Sequence, residues 1–175
     1  MTEETLIKPI LPLRGMVILP GMVANIDVGR EKSLTAVEVA TDDHKILLVA
    51  QKEAAVSEIV KDDLYSWGIL AEIKQQLQLP SGAVRLLVEG LQRVKINNIS
   101  EQQKEDKEYF FGEGEIILSA ETSDAESEAL RRLLLEAFES WAIITKKVKF
   151  DVIQSFKNQP NSGLMADMMT GYLPI

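Results

Sequence analysis

The chain has 175 residues, of which 46% are hydrophobic and 26% are charged, and its formal net charge is -8. This length suits one domain or two small ones, and the composition is ordinary for a folded protein. The lack of cysteine excludes disulfides, thiol catalysis and cysteine-ligated zinc, and the acidity argues against a surface that binds nucleic-acid phosphates.

Residues 1–120 are predicted to be β-rich, because apolar residues recur there at every second position. Residues 10–30 indicate an apolar strand, an Arg-Gly break, a second apolar strand at 16–19, a Pro-Gly break and an alternating strand at NIDV, 25–28. One helix is predicted over residues 30–41, where apolar residues have helical spacing. We expect that helix to cover one end of the β structure.

A buried strand and a long hairpin follow this helix. KILLVAQ, 45–51, is a continuous apolar run, which is typical of a strand covered on both faces. The hairpin turns at PSG, 80–82, and its second arm begins near residue 84. On its first arm, the predicted inward side chains are Ile69, Ala71, Ile73, Leu77 and Leu79. Further strands are predicted at 93–99 and 109–118.

Residues 121–175 are predicted to be helical. Ser123 and Glu126 fit a capping box at the start of the first helix. Its predicted apolar stripe contains Leu130, Leu133, Leu134, Ala137, Phe138, Trp141 and Ile144. A second helix is predicted at 151–157 and a third from residue 164. Because residues 168–175 stay apolar to the last position, we expect this helical subdomain to be truncated and the natural chain to continue.

Nothing in the sequence forms a catalytic, cofactor or metal motif. No Gly-rich phosphate-binding loop is present, and His44, the single histidine, lies in a polar turn. The N-terminus is acidic without a sustained apolar run, and no stretch approaches the ~18 apolar residues that a membrane span needs. We therefore expect no activity from this chain alone, no cofactor or metal, no membrane contact and a cytoplasmic location.

Several segments, taken in order, resemble the N-terminal domain of the Lon family of ATP-dependent proteases. The segments are LPLRGMVILPGM (11–22), VGREKS (28–33), LVAQKEA (48–54), DLYSWG (63–68), LPSGAVRLLVEGLQR (79–93) and LMADMMTGYLP (164–174). Gly21 and Asn25 depart from residues common in the family. The resemblance covers nearly the whole chain, and it is the combination of segments that makes it specific.

The resemblance implies an α+β fold: a PUA-like β pseudo-barrel with one covering helix, over 1–120, followed by a partial α-helical bundle over 121–175. It implies a substrate-recognition domain without catalysis of its own. The whole protein would be a homohexamer with an AAA+ ATPase, which uses ATP and Mg, and a Ser-Lys protease. Its substrates would be misfolded proteins and regulatory proteins that carry a degron.

A recognition site for unfolded polypeptide needs exposed apolar surface, because misfolded chains expose core residues. Strand alternation predicts apolar side chains on otherwise polar faces at Leu70, Leu87 and Val23, with Pro20 and Met22 leading into Val23. One alternative is a free-standing protein-interaction module that is not attached to a protease. RNA binding, another alternative, rests on fold analogy alone and is disfavoured by the acidity.

Overall fold

The computed structural model describes residues 5–118 and 124–173. The chain consists of two compact units, Met1–Leu118 and Ser119–Ile175. The strands of the first unit are β1 (Thr5–Leu13), β2 (Val23–Val28), β3 (Lys45–Gln51), β4 (Leu64–Gln78), β5 (Val84–Lys104) and β6 (Lys107–Ile117). Its helix is α1 (Glu31–Val39), and short 3-10 turns lie at Ala40–Asp42 and Lys61–Asp63. An α+β fold is therefore confirmed.

The six strands form one sheet in the order β2-β5-β4-β3-β1-β6, and β6 also pairs with β5. Besides β2, β5 can pair with both β4 and β6 because it is 21 residues long. Its residues 84–95 pair with β4, and its residues 93–104 pair with β6. The pairings β5-β4-β3-β1-β6 thus return to β5 as a ring of five strands, and β2 lies outside that ring.

Two separate apolar clusters cover opposite faces of these strands. The ring cluster, drawn mostly from the five ring strands, contains the buried residues Ile10, Leu47, Val49, Ile59, Leu64, Leu70, Val94, Ile96 and Phe110. The helix-side cluster places Ala36, Val37 and Ala40 from the α1 region against the other face. Leu47 belongs to the ring cluster and its neighbour Leu48 to the helix-side cluster. The strand predicted at 45–51 is therefore present and covered on both faces.

One strand prediction is wrong, and a second is right in its residues but not in being a separate strand. Residues 16–19 are irregular, because this segment crosses β5 at Gly90 and does not extend a ladder. A Cβ at Gly90 would lie 2.4 Å from the carbonyl oxygen of Leu19. Gly90 N–H also donates to Met22 O at 2.9 Å, and Gly21 N–H donates to Gly90 O at 2.8 Å. The strand predicted separately at 93–99 is the middle of β5.

The second unit consists of α2 (Ala125–Thr145), α3 (Phe150–Lys157) and α4 (Ser162–Thr170). Asp124 caps α2 by accepting a hydrogen bond from Ser127 N–H at 2.7 Å, whereas the predicted cap Ser123 lies outside the described residues. Asn161 caps α4 in the same way through Leu164 N–H at 2.8 Å. Among the described residues, no helix is long and apolar enough to cross a bilayer.

The core of the second unit uses only part of the α2 stripe predicted, because Phe138 and Trp141 belong to it and most of the other stripe residues do not. Its buried residues are Phe138, Ala142, Ile153, Phe156, Met165 and Met169. Phe138 and Phe156 meet edge to face with ring centroids 5.4 Å apart, and Trp141 is only partly buried beside them. Leu130, Leu133 and Ile144 of the predicted stripe are exposed. The two partner helices, of eight and nine residues, cover one side of a 21-residue helix and leave the other uncovered.

Candidate functional site

The outer face of β2, β5 and β4 presents the apolar residues that the candidate site requires. In the register, Val23 lies opposite Glu89, Asn25 opposite Leu87 and Asp27 opposite Arg85. On the other side of β5, Leu87 lies opposite Gln75 and Arg85 opposite Leu77. Because side chains alternate between faces, all of these residues point to the same side of the sheet.

Leu77 joins this face through a β-bulge, which regular strand alternation does not predict. The register shifts between Ile73 and Gln75, so Lys74 is an extra residue in β4. One extra residue moves every later side chain to the other face. Leu77, predicted to point inward, is therefore 56% exposed. The available signal was the run Lys74-Gln75-Gln76, which breaks the alternation.

Val23, Leu87 and Leu77 form a line across three strands, here named the apolar diagonal. Val23 is 59% exposed and Leu87 is half-buried. Val23 and Leu87 are diagonal neighbours through the Asn25–Leu87 pair, and Leu87 and Leu77 are diagonal neighbours through the Leu87–Gln75 pair. Such neighbours lie about 7–8 Å apart and can contact one ligand side chain or backbone segment together.

Ordered ion pairs border the apolar diagonal on the same face. Arg85 binds Asp27 through two hydrogen bonds of 2.6 and 2.7 Å, and this lowers the pKa of the Asp27 carboxyl. Lys74 Nζ lies 2.6 Å from a Glu72 oxygen and 2.8 Å from a Glu89 oxygen. Hydrogen bonds to these two acids raise the pKa of Lys74. Exposed pairs of this kind add little stability, but they give the apolar line a charged border.

The five predicted contact residues do not all lie on this face. Val23 is exposed, while Leu87 and Met22 are half-buried. Pro20 is buried, in the segment that crosses Gly90. Leu70 is 3% exposed and belongs to the ring cluster, so its prediction as a surface residue is wrong. The physical reason is the closed ring of pairings, which places the Leu70 side of β4 against the other ring strands.

A second feature of this unit is a slot of about 340 Å³, here named the β2 slot. It is lined by residues 11–14, Met16, residues 25–30 and Ser33. Because both the inward and the outward residues of β2 line it, the slot lies along the edge of that strand and not on one face. Its size falls in the range of ligand-binding clefts.

Two arginines, Arg14 and Arg30, lie among the residues that line the β2 slot. Arg30 donates from Nη1 to Gln51 Oε1 and from Nη2 to Pro12 O, both at 3.0 Å. Burial lowers the pKa of Arg30, and the positive charge of Arg14 adds to this effect. Within residues 5–118 and 124–173, no group of three or more acidic or histidine side chains could hold a metal ion.

The sequence matches the family model of the ATP-dependent protease La (LON) substrate-binding domain over residues 8–175. It is 43% identical to the Lon protease of Brevibacillus choshinensis over 168 residues, which are 95% of this chain and 21% of that protein. It is 38% identical to the Lon protease of Buchnera aphidicola over 174 residues, which are 99% of this chain and 22% of that protein. The chain thus spans about a fifth of the length of the curated relatives it matches.

Two solved structures have a similar fold. The N-terminal domain of Mycobacterium avium complex Lon protease matches with a TM-score of 0.68 at 20% identity, covering 97% of this chain and 83% of that one. A Lon N-terminal domain protein from Xanthomonas campestris matches with a TM-score of 0.52 at 16% identity, covering 97% of this chain and 99% of that one. These two matches support the fold, and the family model covers nearly the whole sequence. The chain therefore belongs to the Lon substrate-binding domain family.

Proposed function

We propose that this chain recognises unfolded or damaged polypeptides through the apolar diagonal and holds them for degradation by an attached protease. The observation that carries the proposal is the line of apolar residues across β2, β5 and β4, in which Val23 and Leu77 are exposed and Leu87 is half-buried, in a chain of the Lon substrate-binding domain family. Unfolded chains differ from folded ones chiefly in the apolar side chains that they expose, and this line offers matching surface.

The chemistry of the apolar diagonal suits weak binding of many sequences. Three aliphatic side chains in a row across three strands can contact many different apolar side chains, so they do not require one particular ligand side chain. The ion pairs of Lys74 and Arg85 limit the width of the apolar surface. We therefore expect modest affinity for each contact, with selection by exposed apolar content and not by a fixed motif.

For the whole protein we propose the arrangement that the resemblance implied. An AAA+ ATPase that uses ATP and Mg, and a Ser-Lys protease, would follow this chain in a cytoplasmic homohexamer, and this chain itself would carry out neither reaction. We also propose that residues 1–120 form a PUA-like pseudo-barrel, a description that the ring of five strands supports. Residues 121–175 would then form a separate helical subdomain.

The proposal is tested by titrating the pure chain with a permanently unfolded model protein and following the amide signals by NMR. We expect the largest shifts on β2, on residues 84–89 and near Leu77. Replacing Val23 and Leu87 together by Ser removes apolar contacts without disturbing the buried residues, so binding should weaken several-fold while the fold is kept.

A matched control replaces Val60 and Tyr65 by Ser, since both are about as exposed as Val23 but lie elsewhere in the same unit. The control should bind like the wild type. Equal loss in both double variants, or shifts that avoid the apolar diagonal, would contradict the proposal.

A further inference from the structure

The β2 slot lies between two strand edges that are unpaired within the described residues. β2 pairs only with β5, so its other edge is open along Val23–Val28. β1 pairs with β6 through residues 5–10, and therefore Leu11–Leu13 have β3 on one side and no strand on the other. Open strand edges present backbone N–H and C=O groups that can pair with an extended chain.

The slot carries positive charge that no acid in the described residues neutralises. Arg14 donates to Val56 O at 3.0 Å, and Arg30 donates to Gln51 and Pro12. Within the part of the chain that the structure describes, the hydrogen-bond partners of both guanidinium groups are therefore neutral oxygens. Asp27 also lines the slot, but both of its carboxylate oxygens accept from Arg85. Two unneutralised arginines in a chain with a net charge of -8 indicate a local preference for an anion.

A buried amide holds both arginines in place. Gln51 is 5% exposed, and its Nε2 donates to Glu53 O at 2.8 Å and to Val56 O at 2.7 Å. Its Oε1 is thereby turned toward Arg30, and Val56 O accepts from Arg14 as well. Arg30 uses two of its five N–H donors in these contacts, so further donors remain for a ligand. Gln51 is a positioning residue for the pair.

We propose that the β2 slot binds an extended acidic segment of a client polypeptide, with its backbone along the open edge of β2 and a side-chain carboxylate between Arg14 and Arg30. The inference rests on the proposed function and names the class of segment that this unit prefers. Arginine binds carboxylates through paired, charge-assisted hydrogen bonds. A side chain fits better than a chain terminus, because a segment laid along a strand edge continues past both ends of the slot.

The charge part of the proposal is tested with a pair of fluorescent peptides, identical except for Glu or Gln at the centre and blocked at both ends. Affinity is measured by fluorescence anisotropy with the whole chain. The wild type should bind the Glu peptide about tenfold more tightly, as expected for one charge-assisted contact, and added salt should reduce this preference. The variant Arg14→Gln should lose the preference while binding the Gln peptide as before.

The control variant is Arg132→Gln, which removes one positive charge from the exposed surface of α2 and should keep the preference. A third peptide, with Gln at the centre and a free C-terminal carboxylate, separates the two sources of the anion. Tighter binding of that peptide, with Glu and Gln peptides equal, would overturn the proposal in favour of chain-end recognition. A preference that persists in Arg14→Gln would overturn it as well.

The backbone part is tested by hydrogen exchange and by N-methylation. Bound Glu peptide should slow exchange of amides in β2, and a peptide N-methylated at alternate residues should bind several-fold more weakly although it keeps its carboxylate. Unchanged exchange of the β2 amides would overturn the pairing of the peptide with the β2 edge.

The two proposals can fail separately. If unfolded protein binds, and binds the Val23/Leu87 double variant more weakly, but the Glu and Gln peptides bind equally, the β2 slot proposal fails and the proposed function stands. If no polypeptide binds at all, both fail.

Discussion

The β-rich unit and the helical unit contain similar apolar residues but cover them to different degrees. In the first unit, the adjacent residues Leu47 and Leu48 are both buried, because their strand β3 lies between β1 and β4 and has an apolar cluster on either face. In the second unit, α2 leaves Leu130, Leu133 and Ile144 exposed. The comparison indicates that long-range strand pairing covers apolar residues on both faces of the sheet, whereas two short helices cover only one side of α2.

The largest loss of stability is expected from a substitution that creates a cavity inside the ring of strands. Phe110 is completely buried in the ring cluster, so Phe110→Ala should lower the free energy of unfolding by about 3–5 kcal/mol. Chemical denaturation followed by β-sheet circular dichroism measures this. Tyr65→Ala, on the exposed surface of β4, should change it by less than about 0.5 kcal/mol. Similar losses in both variants would mean that the ring is not the main core.

The helical unit offers a comparison between a buried and a half-buried aromatic residue. Phe156 is 1% exposed, and Phe156→Ala should cost the helical unit about 3 kcal/mol or more. Trp141 stacks at a tilt on Phe138 at the margin of the same cluster, so Trp141→Ala should cost only about 1–2 kcal/mol. Exchange of α2 amides, with β-sheet amides as the internal reference, distinguishes the two. A larger loss of stability in Trp141→Ala than in Phe156→Ala would indicate that the predicted stripe of α2 is its buried face.

The crossing of the irregular segment over β5 is tested by adding one methyl group. A Cβ at Gly90 would meet backbone atoms of Leu19, so Gly90→Ala should destabilise the unit by about 1–3 kcal/mol. At Gly29 the nearest atom would be the Ala83 Cβ at 3.8 Å, an ordinary contact, and Gly29→Ala should be nearly neutral. Equal thermal melting of both variants would contradict the close approach.

The smallest effect concerns the ion pairs beside the apolar diagonal. The hydrogen bonds from Arg85 lower the pKa of Asp27 in the folded state. Its contribution to stability is therefore present above the unfolded pKa, near 4, and is lost as the pH falls through the folded value. Carboxyl NMR should show the Asp27 titration moving to higher pH in Arg85→Gln. An unchanged titration would mean that the pair is not formed in solution.

The sequence predicted those elements whose pattern is local. The strand at 45–51, the turn at 80–82 and the helix near 151–157 agree with the structure because alternation, turn residues and helical spacing each act over a few residues. The prediction that Leu70 is exposed is wrong because its burial depends on the ring of strands, which closes where β5 pairs with β6. The prediction that Leu77 points inward is wrong because Lys74, one extra residue in β4, moves the side chains that follow it in the strand to the opposite face.

The candidate site was predicted only in part for the same reason. Val23 and Leu87 follow from alternation in their own strands, so both were found. Arg14 and Arg30 were visible in the sequence, but they meet only through Gln51 and the carbonyl of Val56. No periodic pattern within a single strand or helix predicts that Arg14 and Arg30 lie close together. It depends on β1 and β2 lying on either side of a slot, which is a property of the folded sheet.

The position of β1 in the ring has a consequence for how the protein acquires its fold. β1 lies between β3 and β6, and Thr5 pairs with Glu115, 110 residues further along the chain. During synthesis β6 is the last of the six strands to leave the ribosome. One edge of β1 therefore stays unpaired until nearly the whole β-rich unit has been made. Contacts of such long sequence separation fold slowly, on the scale of milliseconds to seconds. During that interval the nascent chain exposes the same kind of apolar strand that the finished domain would recognise in others.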